Sequence, residues 1–132
     1  MREINSIVIH SSNTPPNKKF RLKDLDRRDR MAGKFGVGVH FYIDREGYIE
    51  VGRDIEKVGI HAGRRNKNSI AIMLEGGVNE KLVTQNNHSL YQLASLGELV
   101  LSLMEQYGVE RVENHHKSCP PFNVEEWVNE TL

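Results

Sequence analysis

The chain contains a single cysteine, Cys119, among its 132 residues, and this excludes an internal disulfide. The cysteine is therefore a thiol, a thiolate or a metal ligand, and a lone cysteine is most often a small buried apolar residue. The sequence also lacks any apolar run near the roughly 20 residues that a membrane-spanning helix needs. We therefore expect no membrane contact.

Net charge is absent as well, because 18 Lys and Arg residues balance 18 Asp and Glu residues. Proteins that bind nucleic acid through its phosphates usually carry excess positive charge, so we expect no nucleic-acid partner, although a local cationic patch over 21–30 is compatible with the balance. The first ten residues lack the apolar region of a secretory signal, which predicts cytoplasmic synthesis. The length fits one domain over residues 1–132.

Apolar periodicity predicts strands that are followed by helices. The longest helical stripe runs through Leu90, Leu93, Leu96, Val100 and Leu103. The predicted elements are a strand over 4–10, a helix over 21–32, a hairpin over 39–52, a strand over 69–74, a helix over 87–107, an extended segment over 109–116 and a helix over 123–132. This pattern favours an α/β (α+β) fold with a central mixed β-sheet flanked by helices.

Several potential metal ligands lie at the ends of predicted strands. His10 ends the first strand, His40 begins the hairpin, and the segment 115–119, HHKSC, follows the last strand. Neighbouring strands lie about 4.8 Å apart, so side chains at their ends can meet. Two imidazoles and one thiolate form a suitable zinc site with a fourth position left to water. The alternatives are a surface histidine pair and a buried structural cysteine.

Four segments, in their order along the chain, resemble the zinc-dependent N-acetylmuramoyl-L-alanine amidases, a family that includes phage lysozyme-amidases and peptidoglycan recognition proteins. The segments are IVIHSSNT (7–14), GVGVHFYIDREGYIEVGRD (36–54), VGIHAGRRNKNSIAIMLEGG (58–77) and HHKSCPPF (115–122). With the helix between the last two, they cover most of the chain. The resemblance implies a central mixed sheet with zinc in a surface groove.

The same resemblance implies the residues of the site. His10 and His115 match the family's histidine ligands and Cys119 matches its cysteine ligand, so these three would hold Zn²⁺. Lys117 matches the family's lysine, whose ammonium would stabilise negative charge on the carbonyl oxygen under attack. His40 and His61 lie in matching segments, and we predict that they contact the substrate. The alternatives are a structural role for His40 and a local hydrogen bond for His61.

The implied reaction is hydrolysis of the amide between the lactyl group of N-acetylmuramic acid and L-alanine. We therefore expect a zinc-dependent amidase of a phage or prophage. It would act as a monomer on peptidoglycan or muropeptides, and it would need a separate pore to reach the cell wall. An amidase for a different amide is an alternative.

The sequence differs from the family pattern in three places, and the first of these favours a further alternative. Val39 stands where active relatives usually have a tyrosine, and valine cannot form a hydrogen bond with its side chain. Only His116 separates His115 from Lys117, so either histidine could be the ligand, and we prefer His115. The helix over 21–32 lacks the family's Trp-His pair. The further alternative is a catalytically weak or inactive relative that binds peptidoglycan or a protein.

Two other side chains could supply a polar group near the site. Tyr42 lies three positions after Val39 and should face the opposite side of a regular strand. Glu75 follows the strand at 69–74 and could act as a base. A solvated carboxylate at a strand end is the simpler interpretation of Glu75.

Overall fold

Residues 2–132 are described by a computed structural model, and they form alternating strands and helices. The elements are β1 Ser6–Ser11, α1 Leu22–Met31, β2 Phe41–Ile43, β3 Ile49–Val51, a 3₁₀ turn Gly63–Asn68, β4 Ser69–Leu74, α2 Leu90–Tyr107, β5 Arg111–Asn114 and α3 Val124–Thr131. Every predicted helix and strand is present, although each hairpin strand is only three residues long. None of the helices within 2–132 is long and apolar enough to cross a membrane.

The sheet is mixed, as predicted. Its strand order is β3-β2-β4-β1-β5, with β1, β2, β4 and β5 parallel and β3 antiparallel to β2. The β-branched, nearly continuous apolar sequences of β1 and β4 suit a central position, since parallel strands are covered on both faces. Both strands are buried at all six residues.

The two faces of the sheet carry separate apolar clusters. Ile70, Ile72 and Leu74 of β4 pack with α2 and α3 on one face, and β1 contributes Ile7 and Ile9 to the same cluster. On the other face, the second cluster joins α1 to the sheet through Leu25, Val39, Tyr42, Ala71 and Met73. Side chains of a strand alternate between faces, so His10 points toward the α1 face because Ile9 points toward α2.

The main difference from the predicted core concerns α2. The helix begins after Ser89, whose hydroxyl accepts a hydrogen bond from the Gln92 main chain, and it ends at Gly108 in the left-handed conformation (φ 66°) that glycine favours. Leu90, predicted to lie in the apolar stripe, is 84% exposed. Leu90 lies six residues before Leu96, and with 3.6 residues per turn this separation places it about 120° around the helix from Leu96, the centre of the buried face.

Candidate metal centre

Two adjacent parallel strands bring a pair of histidines together. His10 is the fifth residue of β1, and His115 directly follows β5. Ile9 pairs with Asn114 in the register of these strands, and the N–H of His115 donates to the carbonyl of Ile9 at 3.0 Å. His10 follows Ile9 and His115 follows Asn114, so the two histidines lie side by side, with ring centroids 4.2 Å apart.

A tight turn returns the chain to this pair. His116 and Cys119 exchange two main-chain hydrogen bonds, of 3.2 and 3.0 Å, which close the turn. The main-chain N–H of Ser11 donates to Cys119 Sγ at 3.3 Å and holds the sulfur beside β1. Cys119 is buried within this turn, whereas His116 is exposed.

The side chains of His10, His115 and Cys119 form a donor group that fits a divalent metal. One ligand atom from each lies within 4.8 Å of the others. Zinc bonds of about 2.0–2.3 Å can join atoms at this spacing after small side-chain rotations. An imidazole pair with one thiolate is also a donor set that zinc accepts with an open fourth position. The geometry therefore favours His115 over His116 as the second histidine of the group.

The protonation of this group suits metal binding. Burial, reinforced by the neighbouring His61 and His115, lowers the pKa of His10 well below its usual value. The ring is therefore neutral at pH 7, which is the form that binds a metal. Burial raises the pKa of Cys119, so the metal-free side chain is a thiol that loses its proton when a metal binds.

The side chain of His61 contacts the group directly. Its Nδ1 lies 2.8 Å from His10 Nε2, and its Nε2 lies 3.0 Å from the hydroxyl of Ser69. Burial and the neighbouring histidines lower the pKa of His61 to about 3, so this ring is neutral too. The predicted contact of His61 with substrate stays a prediction, since both of its ring nitrogens already have protein partners.

His40 lies deeper in the protein, with no exposed surface. Its Nδ1 accepts a hydrogen bond from the Ala71 N–H at 3.0 Å, and its Nε2 donates to the carbonyl of Lys57 at 2.8 Å. Burial lowers the pKa of His40 to about 4. These contacts tie the start of β2 to the centre of the sheet, and they favour the structural alternative for His40 over a contact with substrate.

Lys117 lies in the exposed part of the turn, on the wall of an open cavity of about 640 Å³. Asn114, Phe122 and Glu125 line the same cavity. The side chain of Asn114 bonds the main chain of Phe122 and Val124, so this cavity lies toward α3, and His10, His115 and Cys119 are not among the residues that line it.

Val39 and Tyr42 both belong to the second apolar cluster, so the prediction that they face opposite sides is wrong. The chain bends at His40, and the regular alternation of β2 begins only at Phe41. The hydroxyl of Tyr42 donates to the carbonyl of Phe20, and its side chain is fully buried. Tyr42 is thus engaged in the core.

Glu75 is buried, so its interpretation as a solvated carboxylate is wrong. Its two oxygens accept hydrogen bonds from the main-chain N–H groups of Phe20 (2.7 Å) and Arg45 (2.9 Å). The carboxylate therefore fastens two loops to the end of β4.

Arg65 was not identified from the sequence, yet it bonds the strand that carries His115. Its guanidinium donates to the carbonyl of Asn114 at 3.0 Å and to the carbonyl of His115, and it lies 3.3 Å from the Glu113 carboxylate. An arginine in a polar loop carries no sequence signal for such contacts, because they join positions about 50 residues apart.

Comparisons with known proteins agree with this fold. The family described as N-acetylmuramoyl-L-alanine amidase matches residues 1–121. The endolysin of Escherichia phage T7 is 34% identical over 126 residues, which cover 92% of this chain and 83% of that protein. The endolysin of Klebsiella phage KP32 is 31% identical over 130 residues, covering 96% and 86%.

Solved structures give the same result. The endolysin N-acetylmuramoyl-L-alanine amidase LysCS from Clostridium intestinale has a TM-score of 0.84 and 29% identity, over 98% of this chain and 84% of that one. Bumblebee PGRP-SA, at 18% identity, has a TM-score of 0.79 over 100% and 84% of the two chains, which shows a shared fold. The fold is therefore that of the amidases and peptidoglycan recognition proteins. Within this class, the chain belongs to the N-acetylmuramoyl-L-alanine amidase family.

Proposed function

We propose that the chain is a zinc-dependent N-acetylmuramoyl-L-alanine amidase of phage or prophage origin that hydrolyses peptidoglycan. The observation that carries the proposal is the convergence of His10, His115 and Cys119 from two strands and a turn. Family membership supplies the reaction, and the relatives named endolysins supply the setting of cell lysis. The protein would act on peptidoglycan or muropeptides after it is released to the cell wall.

Each ligand residue has a distinct task in this proposal. His10 and His115 bind as neutral imidazoles, and Cys119 binds as a thiolate that accepts the Ser11 N–H. When bound, zinc supplies Lewis-acid chemistry, activating water and polarising the scissile carbonyl.

Lys117 would act on the substrate itself. In amide hydrolysis, water adds to the carbonyl carbon, the carbon–nitrogen bond breaks, and the amine of L-alanine leaves with a proton. Negative charge develops on the carbonyl oxygen during the addition, and a fixed ammonium stabilises it. The position of Lys117 supports this role, because its side chain is exposed in the turn that carries Cys119.

One observation favours a second candidate, a relative that binds peptidoglycan without cleaving it efficiently. Val39 is 3% exposed and packs with Leu25 and Met73, so an apolar side chain stands where the family's tyrosine is expected. The intact donor group argues the other way, because a protein that only binds the wall has no need of an open zinc site.

The deciding experiment measures zinc and products on the same preparation. Protein purified without chelator should hold about one zinc per chain, and purified muropeptides should yield a lactyl carboxylate and a peptide with a free L-alanine amino terminus. The Cys119→Ala variant is the matched negative control. Zinc without product would favour the binding relative, and a protein that takes up no zinc would overturn the catalytic proposal.

A further inference from the structure

We propose that the segment 61–66 is a positioning element for the metal ligands, in which His61 orients the ring of His10 and Arg65 holds the main chain at His115. This inference rests on the proposed function, since it assumes that His10 and His115 bind zinc. It assigns His61 a role toward a ligand in place of the contact with substrate that the sequence suggested.

The contact between His61 and His10 determines which nitrogen of His10 can bind the metal. A neutral imidazole has one N–H donor and one acceptor nitrogen. His10 Nε2 lies 2.8 Å from His61 Nδ1, so one of these two nitrogens carries the shared proton. If His10 Nε2 donates, His10 Nδ1 keeps its lone pair and is free to bind zinc. In the reverse arrangement, His10 Nδ1 carries the proton and cannot bind.

Metal binding therefore selects the chain of hydrogen bonds in which each ring donates outward from the metal. His10 Nε2 donates to His61 Nδ1, and His61 Nε2 donates to the hydroxyl of Ser69 at 3.0 Å. Ser69 is the first residue of β4 and is fully buried, so the chain ends on the rigid centre of the sheet. Partners of this kind fix the tautomer and orientation of a ligand histidine.

The main chain of His61 is itself held in place. The side-chain oxygen of Asn66 accepts hydrogen bonds from the N–H groups of both His61 (2.9 Å) and Ala62 (2.7 Å). These bonds close the loop just before the 3₁₀ turn. The ring of His61 therefore meets His10 from a fixed backbone.

Arg65 extends the same segment to the second histidine. Its guanidinium donates to the carbonyl oxygens of Asn114 and His115, which lie at the end of β5 and just after it. The ion pair with Glu113, at 3.3 Å, adds a third contact to this strand. The segment 61–66 thus contacts the ring of one proposed ligand and the backbone of the other.

The experiment measures zinc affinity by chelator competition in four full-length variants. His61→Phe keeps a ring but removes the acceptor for His10, and we expect zinc to bind about 10–100-fold more weakly. His61→Asn can return an acceptor oxygen near the Nδ1 position and should restore most of the affinity. Arg65→Gln should weaken binding, whereas Arg64→Gln, the same charge change on an exposed neighbour, should not.

The metal-free unfolding midpoint of each variant separates a local effect on the ligands from loss of the fold. If His61→Phe and Arg65→Gln bind zinc as tightly as the wild type, the inference is overturned while the proposed function stands. Should His61→Phe fail to fold, the comparison of Arg65→Gln with Arg64→Gln decides, and equal affinities overturn the inference. A wild type that binds no zinc overturns the proposed function itself.

Discussion

Replacing Cys119 by alanine tests the donor group most directly. The side chain is 3% exposed, and its sulfur accepts a hydrogen bond from Ser11. In the metal-free protein, the loss of one buried heavy atom and of this weak acceptor should lower the free energy of unfolding by about 1–3 kcal/mol. The larger effect concerns zinc, because two histidines alone leave the ion with half of a tetrahedral shell.

The size of the zinc effect follows from binding linkage. Free zinc at 1,000 times its dissociation constant stabilises the native wild type by about 4 kcal/mol, since zinc binds the native state preferentially. Cys119→Ala should lose nearly all of this zinc-dependent stability. Cys119→Ser keeps an acceptor for Ser11 and should recover part of the metal-free stability without recovering zinc binding.

Urea unfolding with and without zinc, read by circular dichroism, measures both quantities, and metal analysis gives the zinc content. Ser118→Ala is the matched control, because Ser118 is exposed in the same turn. A Cys119→Ala protein that retains one zinc per chain and the full zinc-dependent stabilisation would show that the ligand assignment is wrong.

Four further predictions concern the site and its surroundings. His115→Ala should lose zinc on metal analysis and His116→Ala should keep it, and the opposite result would exchange their roles. Lys117→Met should lower turnover of muropeptides by about 10²–10³-fold at unchanged zinc content, and unchanged turnover would remove Lys117 from the reaction. Val39→Tyr should lower the free energy of unfolding in urea by about 1–3 kcal/mol, because the larger side chain enters a packed cluster, and it should raise the rate of wall hydrolysis. If the wild type is active and the variant hydrolyses the wall at the same rate, another group performs the tyrosine's task. Burial lowers the pKa of His88 to about 4, so between about pH 6.5 and pH 4 the unfolded chain binds a proton that the folded chain does not. The free energy of unfolding of the metal-free protein should therefore fall as the pH is lowered through this range, and it should fall less in His88→Gln. Equal pH slopes for the two proteins would contradict this.

The shape of the second cluster could be predicted only in part. The pattern of apolar residues identified the strands, but the bend at His40 placed Val39 and Tyr42 on one side of the sheet. The position of Gln92 could not be predicted from the sequence either, because a glutamine in a helix is usually exposed. It is fully buried instead, and the hydrogen bonds from its side-chain amide to the carbonyl oxygens of Ile43 and Glu75 offset the cost of burying a polar group.

The sequence by itself determined the elements and the candidate donors, because periodicity and residue chemistry are local properties. His10, at the end of the first apolar strand, supplied one donor, and the crowded segment 115–119 supplied the other two. Which strands are neighbours was decided only by tertiary structure. The pairing of β1 with β5 placed His10 beside His115, and the loop before β4 brought His61 and Arg65 to them. Such contacts join residues about 50 to 100 positions apart, and no local pattern specifies them.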